Sequence, residues 1–295
     1  MDQLNRPSAA AYLCLVLPPL FWSSNFIVGK ALVGIVPPWT LNAGRFTVSA
    51  LILLPLLLYR KEWPPRSALV PLILMSITGV FAFNAVLYIG LGYTSATNAT
   101  LVNATTPVTT ALIAWLLIGE KLTARRFFGA AISLAGVAWI VSQGRLDALV
   151  QFNFNPGDII VFFATGLWGF YMVMAKPMML LLSPLALTSI TTVVGALLLL
   201  PAAVVELQLK PTDIWRSDVL LALLYLGIFP SFLAFALWNR SIRTFGPSRA
   251  SLAYNLLPLF AALLAVIFLG ETIYPYQLLG GIAIIAGVMI GTRPA

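Results

Sequence analysis

The sequence predicts an all-α membrane protein, with ten transmembrane helices arranged as two inverted five-helix repeats. Three observations lead there. The 295 residues are 60% hydrophobic and only 9% charged, with a mean hydropathy of +0.97, whereas a soluble domain carries about 25% charge. The apolar residues run continuously, as in LILLPLLL, ALLLLPAAVV and GGIAIIAGVMI. A membrane barrel instead alternates along segments of about ten residues. Finally, the chain repeats itself: Trp22 and Lys30 recur as Trp168 and Lys176, and Pro107, Gly119, Glu120, Gly129 and Gly136 recur as Pro258, Gly270, Glu271, Gly280 and Gly287. Five spans is an odd number, so a second copy starts on the opposite face of the bilayer. Inverted repeats of this kind place a substrate site near the midplane between the halves. The repeats divide the chain into 1–146 and 147–295.

Each span has its own start and stop. The first, 9–32, follows Arg6 in the manner of a signal peptide. It carries Pro18-Pro19, matches the segment around Trp168 and lacks an A-x-A-type cleavage site, so it is read as a span. The second, 37–59, opens on Pro37-Pro38, and the third, 68–92, follows Trp63-Pro64-Pro65. The fourth, 97–118, ends at Gly119-Glu120-Lys121, and the fifth covers 123–142. The sixth, 157–180, follows Asn155-Pro156-Gly157, and the seventh, 184–206, follows Ser183-Pro184. The eighth, 217–240, lies beyond Pro211. The ninth, 247–269, runs from Gly246-Pro247 to Gly270-Glu271, and the tenth covers 274–292. Proline and glycine supply the punctuation, and about 20 residues suffice to cross about 30 Å of hydrocarbon.

Charge sets the orientation. Arg6, the Arg60/Lys61/Arg66 loop, the Lys121/Arg125/Arg126 loop, the Arg240/Arg243/Arg249 loop and Arg293 fall on one side. Only Arg145, Lys210 and Arg216 fall on the other. This bias predicts cytoplasmic termini and accounts for the net charge of +8 without a nucleic-acid partner. The single cysteine, Cys14, allows no intrachain disulfide. With no histidine, a His-ligated zinc site and a Ser-His-Asp triad are excluded. No cofactor is expected. The spans also lack a set of nucleophile, metal ligands or paired carboxylates for an intramembrane enzyme.

The W-x-x-N-F pattern at Trp22, Asn25 and Phe26, the Pro-Pro-Trp-Thr opening of the second span with Arg45, the proline-centred fourth and ninth spans and the Gly-Glu turns that follow them resemble the EamA-type drug/metabolite transporters. The likeness covers both halves. Within the family it is nearest to the YddG-type exporters of aromatic amino acids. The resemblance implies ten helices, alternating access, a central cavity and export of amino acids or related metabolites across the bacterial inner membrane. The four-helix small multidrug relatives use a glutamate in their first span for cationic drugs and protons. Here that region reads Trp22-Ser23-Ser24-Asn25, without a carboxylate.

All nine acidic residues fall at expected loops or helix ends, whereas proton-driven carriers commonly use intramembrane acids or histidine as a relay. A facilitator, or an exchanger without a carboxylate relay, is therefore expected. The substrate-binding candidates are the deeper aromatic and amide groups: Trp22, Asn25, Asn84, Tyr88, Asn98, Asn103, Trp168, Tyr171, Trp238 and Tyr254. Aromatics would hold a flat or apolar side chain by burial, and amides and lysines would orient a charged backbone. The same asparagines could instead bond between helices. Pro107 and Pro258 are either fixed bends or hinges. Lys30 and Lys176 either snorkel to the headgroups or face the cavity. Arg45, about 12 Å into its span, is assigned a structural role, bonding helix-end carbonyls or Glu271. Glu120 and Glu271 are read as turn residues, and Trp39, Tyr59 and Trp63 as an interfacial belt. Small residues at Gly129-Ala130-Ala131 and Gly280-Gly281 fit close helix packing, in spans that could support a homodimer; a monomer is equally open. The partners expected are a small-molecule substrate and the bilayer. Drugs or other metabolites remain alternative substrates, and a lipid-moving protein is the reading furthest from amino-acid export.

Overall fold

The computed structural model describes residues 8–32, 34–91, 93, 102–121, 123–145, 147, 156–269 and 274–292. The described residues form helices and connections, with no strand among them. In chain order the helices are α1 (Ala9–Ala31), α2 (Pro38–Arg60), α3 (66–91), α4 (Thr106–Ile118), α5 (Ala124–Val141), α6 (Pro156–Met178), α7 (Pro184–Leu209), α8 (Ser217–Phe245), α9 (247–269) and α10 (Pro275–Thr292). Eight stretches, in α2, α3 and α5 to α10, are long and apolar enough to cross a membrane. Leu51, Leu116, Phe127, Phe128, Leu221 and Ile282 lie exposed on the outer faces, as a lipid-facing surface requires. Tyr59 and Trp63 are exposed, as a belt needs. Trp39 instead packs on Phe81 at 5.9 Å.

Helix ends follow local chemistry. Gly119 takes φ +63°, and the N–H groups of Gly119 and Glu120 both reach the Ala114 carbonyl. This left-handed cap explains the Gly-Glu turn. Thr123 caps α5 by accepting from the Arg126 N–H, and Ser183 caps α7 by accepting from the Ala186 N–H. The eighth helix runs five residues past its expected end at 240. Its arginines lie in the last turns of a helix that continues to Phe245, not in a loop, and Gly246 at φ +81° makes the break to α9. The residues expected to open the fourth span, 97–101, lie outside the described residues.

Two features are absent from a reading by periodicity. The third and eighth helices each contain a π-turn, Ser76–Ala82 and Gly227–Leu233. In each, an N–H skips back five residues, Phe83 to Thr78 and Ala234 to Phe229. Such turns widen the helix and often mark functional sites. The prolines also act differently from an interior kink. Pro107 and Pro258 each occupy the second position of a regular helix, just after a turn at 104–105 and a 3-10 turn at Ala253–Leu256. There a missing N–H costs no hydrogen bond.

Long helices pair in opposite directions. In the α5–α10 pair, Gly129 faces Gly287 and Gly291, while Gly136 faces Gly280 and Ile284. An added Cβ at Gly129 would lie 2.7 Å from the Gly287 carbonyl oxygen, and one at Gly136 would lie 2.6 Å from that of Gly280. Small residues allow this backbone approach. The close packing expected of these small residues is thus made within one chain, between α5 and α10.

The second pair, α2 with α7, is tied at both ends by a carboxylate. Glu206 accepts from the Thr40 N–H at 2.7 Å and from its hydroxyl at 3.0 Å. At the other end Glu62 accepts from the Ser183 N–H at 3.2 Å. The Ser183 hydroxyl, then its N–H and Arg60, hold the Glu62 carboxyl below its ordinary value of 4.5, against some desolvation. Because the folded value is the lower one, this contribution to stability is complete above about pH 4.5 and is lost as pH falls through the lowered value. Thermal unfolding between pH 3 and 6 should therefore show an acid-side loss of stability that Glu62→Gln reduces.

Candidate functional site

Trp22 of α1 stands where several helices meet. Its ring centroid lies 5.6 Å from Trp168 of α6, 5.9 Å from Phe235 and 5.1 Å from Trp238 of α8, and 5.8 Å from Tyr254 of α9. Most of these contacts are edge-to-face, the arrangement the ring quadrupoles favour. The π-turn of α8 supplies the remaining anchor. Ala234, the usual donor to Pro230, reaches Phe229 instead, and the Pro230 carbonyl accepts from the Trp22 indole N–H at 3.0 Å. A local distortion of α8 thus fixes a side chain on α1.

Above this aromatic floor lies a cavity of about 900 Å³, within the range of small-molecule sites. Trp22, Phe83, Trp168, Phe235 and Tyr254 form its apolar wall. Asn25, Arg45, Asn84 and Asn103 give it a polar side. The cavity extends to the α1–α2 connection at Gly34 to Pro37 and to Lys210, Pro211 and Thr212 after α7. Its lining includes two cations, Arg45 and Lys210, and no acidic side chain among the described residues. Neither α5 nor α10 contributes a described lining residue. A side recess of about 170 Å³ shares Asn103, Tyr254 and Leu257 with the cavity and adds Asn255 and Pro258. The Asn255 amide is buried there without a hydrogen-bond partner among the described residues.

Arg45 meets neighbours from two other helices. It sits on the cavity wall, with Nη1 donating to Asn25 Oδ1 at 3.3 Å and Nη2 donating to Asn84 Oδ1 at 3.2 Å. The Phe46 ring lies 4.7 Å from its guanidinium carbon. Asn84 is turned toward the arginine by its own Nδ2–H, which donates to the Val80 carbonyl at 2.9 Å. The side chain is therefore held at the cavity wall by groups from α1 and α3, and its other expected partner, Glu271, lies outside the described residues.

Six candidates from the sequence meet at this cavity: Trp22, Asn25, Asn84, Asn103, Trp168 and Tyr254. Tyr171 and Trp238 lie behind it, fully buried. Tyr171 stacks on Trp168 at 5.1 Å and shares a network with Asn239, whose amide also donates to Thr188 at 2.9 Å. Those two residues back the wall. Asn98, Glu271 and the side chains of Tyr88 and Lys30 lie outside the described residues. Phe83, Phe235 and Lys210 line the cavity but were not singled out by the sequence. Phe235 had a signal, since it lies three residues before Trp238 and shares its helical face.

The far end of the structure carries a charge cluster. Glu120 accepts from Arg126 at 2.8 Å and lies 3.9 Å from the Lys176 ammonium. A Cβ placed on Gly246 would lie 3.4 Å from a Glu120 carboxylate oxygen and 3.7 Å from the Lys176 ammonium, ordinary contact distances, so the turn between α8 and α9 lies beside this cluster. Glu120 thus ties its turn to α5 through Arg126, and the Lys176 ammonium lies near its carboxylate. Glu62, Asp158, Glu206 and Asp218 lie at or beyond helix ends, and none of them lines the cavity.

The EamA-like transporter family model matches twice, over residues 9–142 and 155–292. An uncharacterized transporter of Bacillus subtilis, YyaM, is 28% identical, with 94% of this chain and 92% of the relative covered. A probable terminal-alkyne amino-acid exporter of Streptantibioticus cattleyicolor is 29% identical over 96% of this chain and 93% of the relative. An S-adenosylmethionine/S-adenosylhomocysteine transporter of Chlamydia trachomatis is 24% identical over 90% and 84%. A solved crystal structure superposes with a TM-score of 0.78 at 22% identity, covering 97% of this chain and 98% of the other, a likeness of fold. With apolar helices, a cavity of metabolite size and two matches that together span nearly the whole sequence, the chain is a multi-pass membrane protein of the EamA-like transporter family.

Proposed function

We propose that the chain exports amino acids, aromatic or neutral, and related metabolites across a bacterial inner membrane, by alternating access and without a proton relay. The cavity carries this reading: an aromatic floor beneath a polar wall suits a small molecule with a flat or apolar part and a charged part. Members named for amino-acid export and for S-adenosylmethionine transport bound the substrate to small metabolites.

The mechanism rests on ten spans in two inverted units, 1–146 and 147–295, with both termini cytoplasmic. Several observations support it. Adding 151 to the bounds of the π-turn at Ser76–Ala82 yields Gly227–Leu233, and the same shift carries Thr106–Ile118 onto Leu257–Leu269. Repeat-related α5 and α10 run antiparallel, as do α2 and α7. With that orientation the cavity faces the outer side, and the Glu120–Arg126–Lys176 cluster closes the cytoplasmic side. Pro107 and Pro258 then act as the hinges at which the helix tips of each half part in turn. Substrate is held by Trp22, Asn25, Asn84, Asn103, Trp168 and Tyr254, with Tyr88 and Asn98 assigned to the same set and Tyr171 and Trp238 supporting it.

The test is flux into proteoliposomes holding the purified chain. Labelled neutral and aromatic amino acids should cross, a labelled lipid should not flip, and a pH gradient alone should drive no accumulation. Passage of S-adenosylmethionine without any amino acid would replace the substrate assignment. Lipid flipping would replace the transport reading altogether.

A further inference from the structure

We infer that the recess beside the central cavity is a subsite for a neutral, planar group carrying a hydrogen-bond donor and an acceptor side by side, and that the Asn255 amide reads it. A carboxamide and an amino-substituted heteroaromatic ring share that chemistry. The inference rests on the transport reading for its biological meaning but not for its geometry. Asn255 is 1% exposed, and neither its Nδ2 nor its Oδ1 finds a hydrogen-bond partner among the described residues. Asparagines in membrane helices ordinarily bond across to a neighbour, and a buried amide left unpaired destabilises the fold. The scaffold does not need the group. The 151-residue shift that carries Pro107 onto Pro258 also carries Ala104 onto Asn255, and Ala104 lines the same recess. One half thus packs this junction with a methyl group where the other holds an amide.

The setting restricts the ligand. The recess has a volume of about 170 Å³, far above the roughly 15 Å³ that one water requires, so an end group larger than water fits. Asn103, Tyr254 and Leu257 border both the recess and the cavity, so a molecule on the aromatic floor can extend one end to Asn255. Ala104, Pro258 and Ala261 complete a largely apolar lining. A charged amino-acid head would lose its hydration there without an opposite charge, whereas a neutral group exchanges its bonds to water for bonds to the amide. That amide donates through Nδ2 and accepts at Oδ1. Its complement therefore offers an acceptor beside a donor, the pairing by which an asparagine reads the edge of an adenine. A break in α9 places the side chain: Ala253–Leu256 is a 3-10 turn, the Leu257 N–H reaches Tyr254, and Pro258 follows. Interrupted helices of this kind form binding sites in transporters.

Calorimetry on the purified full-length chain tests this with two matched pairs. Glutamine is set against glutamate γ-methyl ester, and adenosine against purine riboside; the second member of each pair keeps an acceptor but lacks the N–H donor. In at least one pair the donor-bearing member should bind about ten-fold or more tightly than its mate. Preference in the glutamine pair identifies a carboxamide, and preference in the adenosine pair an aminated ring. Asn255→Leu and Asn255→Ala should abolish the preference. Without ligand they should melt no lower than the native chain, because no hydrogen bond is lost. Absence of preference in both pairs, as expected of a recess that holds water only, would overturn the assignment. So would a preference that survives in either folded variant, or a lowered melting temperature in both. Proteoliposome flux of the same pairs keeps the two readings apart. Donor-selective binding without passage would remove transport and leave the subsite in place. Passage of glutamine and its ester alike, with no donor preference in either pair, would do the reverse.

Discussion

Alanine at Gly129 or at Gly287 should lower stability by about 2–3 kcal/mol, even though alanine is the better helix former by about 1 kcal/mol. The sign is decided by what the new methyl group meets. At Gly287 it would sit 2.5 Å from the Gly129 carbonyl oxygen and 2.6 Å from the Ser133 nitrogen, and at Gly129 it would sit 2.7 Å from the Gly287 oxygen. These are backbone atoms of a paired helix, which can move only by separating α5 from α10. Separation opens the seam along several turns, so the loss exceeds the contact itself. Gly166 of α6 is the internal control, because nothing lies within 4 Å of its added Cβ. Gly166→Ala should be neutral or slightly stabilising. Thermal unfolding of the three variants in one detergent checks the contrast. A seam variant as stable as Gly166→Ala would show that α5 and α10 do not pack as described.

Trp22→Ala should reduce flux at least ten-fold, and Trp22→Phe should fall between it and the native chain. The indole joins Trp168, Phe235, Trp238 and Tyr254, and its N–H holds the Pro230 carbonyl. Alanine removes both the floor of the cavity and the tie to α8. Trp22 is partly buried against the core, so its truncation costs somewhat less than the roughly 3–5 kcal/mol of a fully buried tryptophan, still enough to loosen the meeting point of α1, α6, α8 and α9. Phenylalanine restores most of the ring surface but leaves the Pro230 carbonyl without its donor, a loss of about 1 kcal/mol. Flux measured at equal amounts of folded protein in the bilayer separates these steps. Full flux from a folded Trp22→Ala protein would move the passage elsewhere.

Most of the helical layout was legible because hydropathy marks it directly, with Pro38, Pro184 and Pro247 at helix starts. The end of α8 was not. Arg240 and Arg243 read as a loop, while a helix at a membrane surface continues past the hydrocarbon with its arginines outward. The π-turns were also invisible, since Ser76–Ala82 is equally apolar whether its N–H groups reach back four residues or five. Among site residues, the deep aromatics and amides were found because such groups are conspicuous in lipid. The direction of Arg45 was not, because depth along α2 says nothing of which neighbour it meets. Its partners Asn25 and Asn84 come from α1 and α3, and only the tertiary arrangement brings them to it.

The reciprocal pattern of the α5–α10 seam has an ancestral implication. Gly129 meets Gly287, and shifting each by 151 in opposite senses gives Gly280 and Gly136, which also meet. A contact set that maps onto itself when its members are exchanged is what two identical subunits form about a two-fold axis. A single unit of this kind already carries a self-complementary stripe. Two separate copies inserted head-down and head-up could have assembled on that stripe before any fusion joined them in one polypeptide.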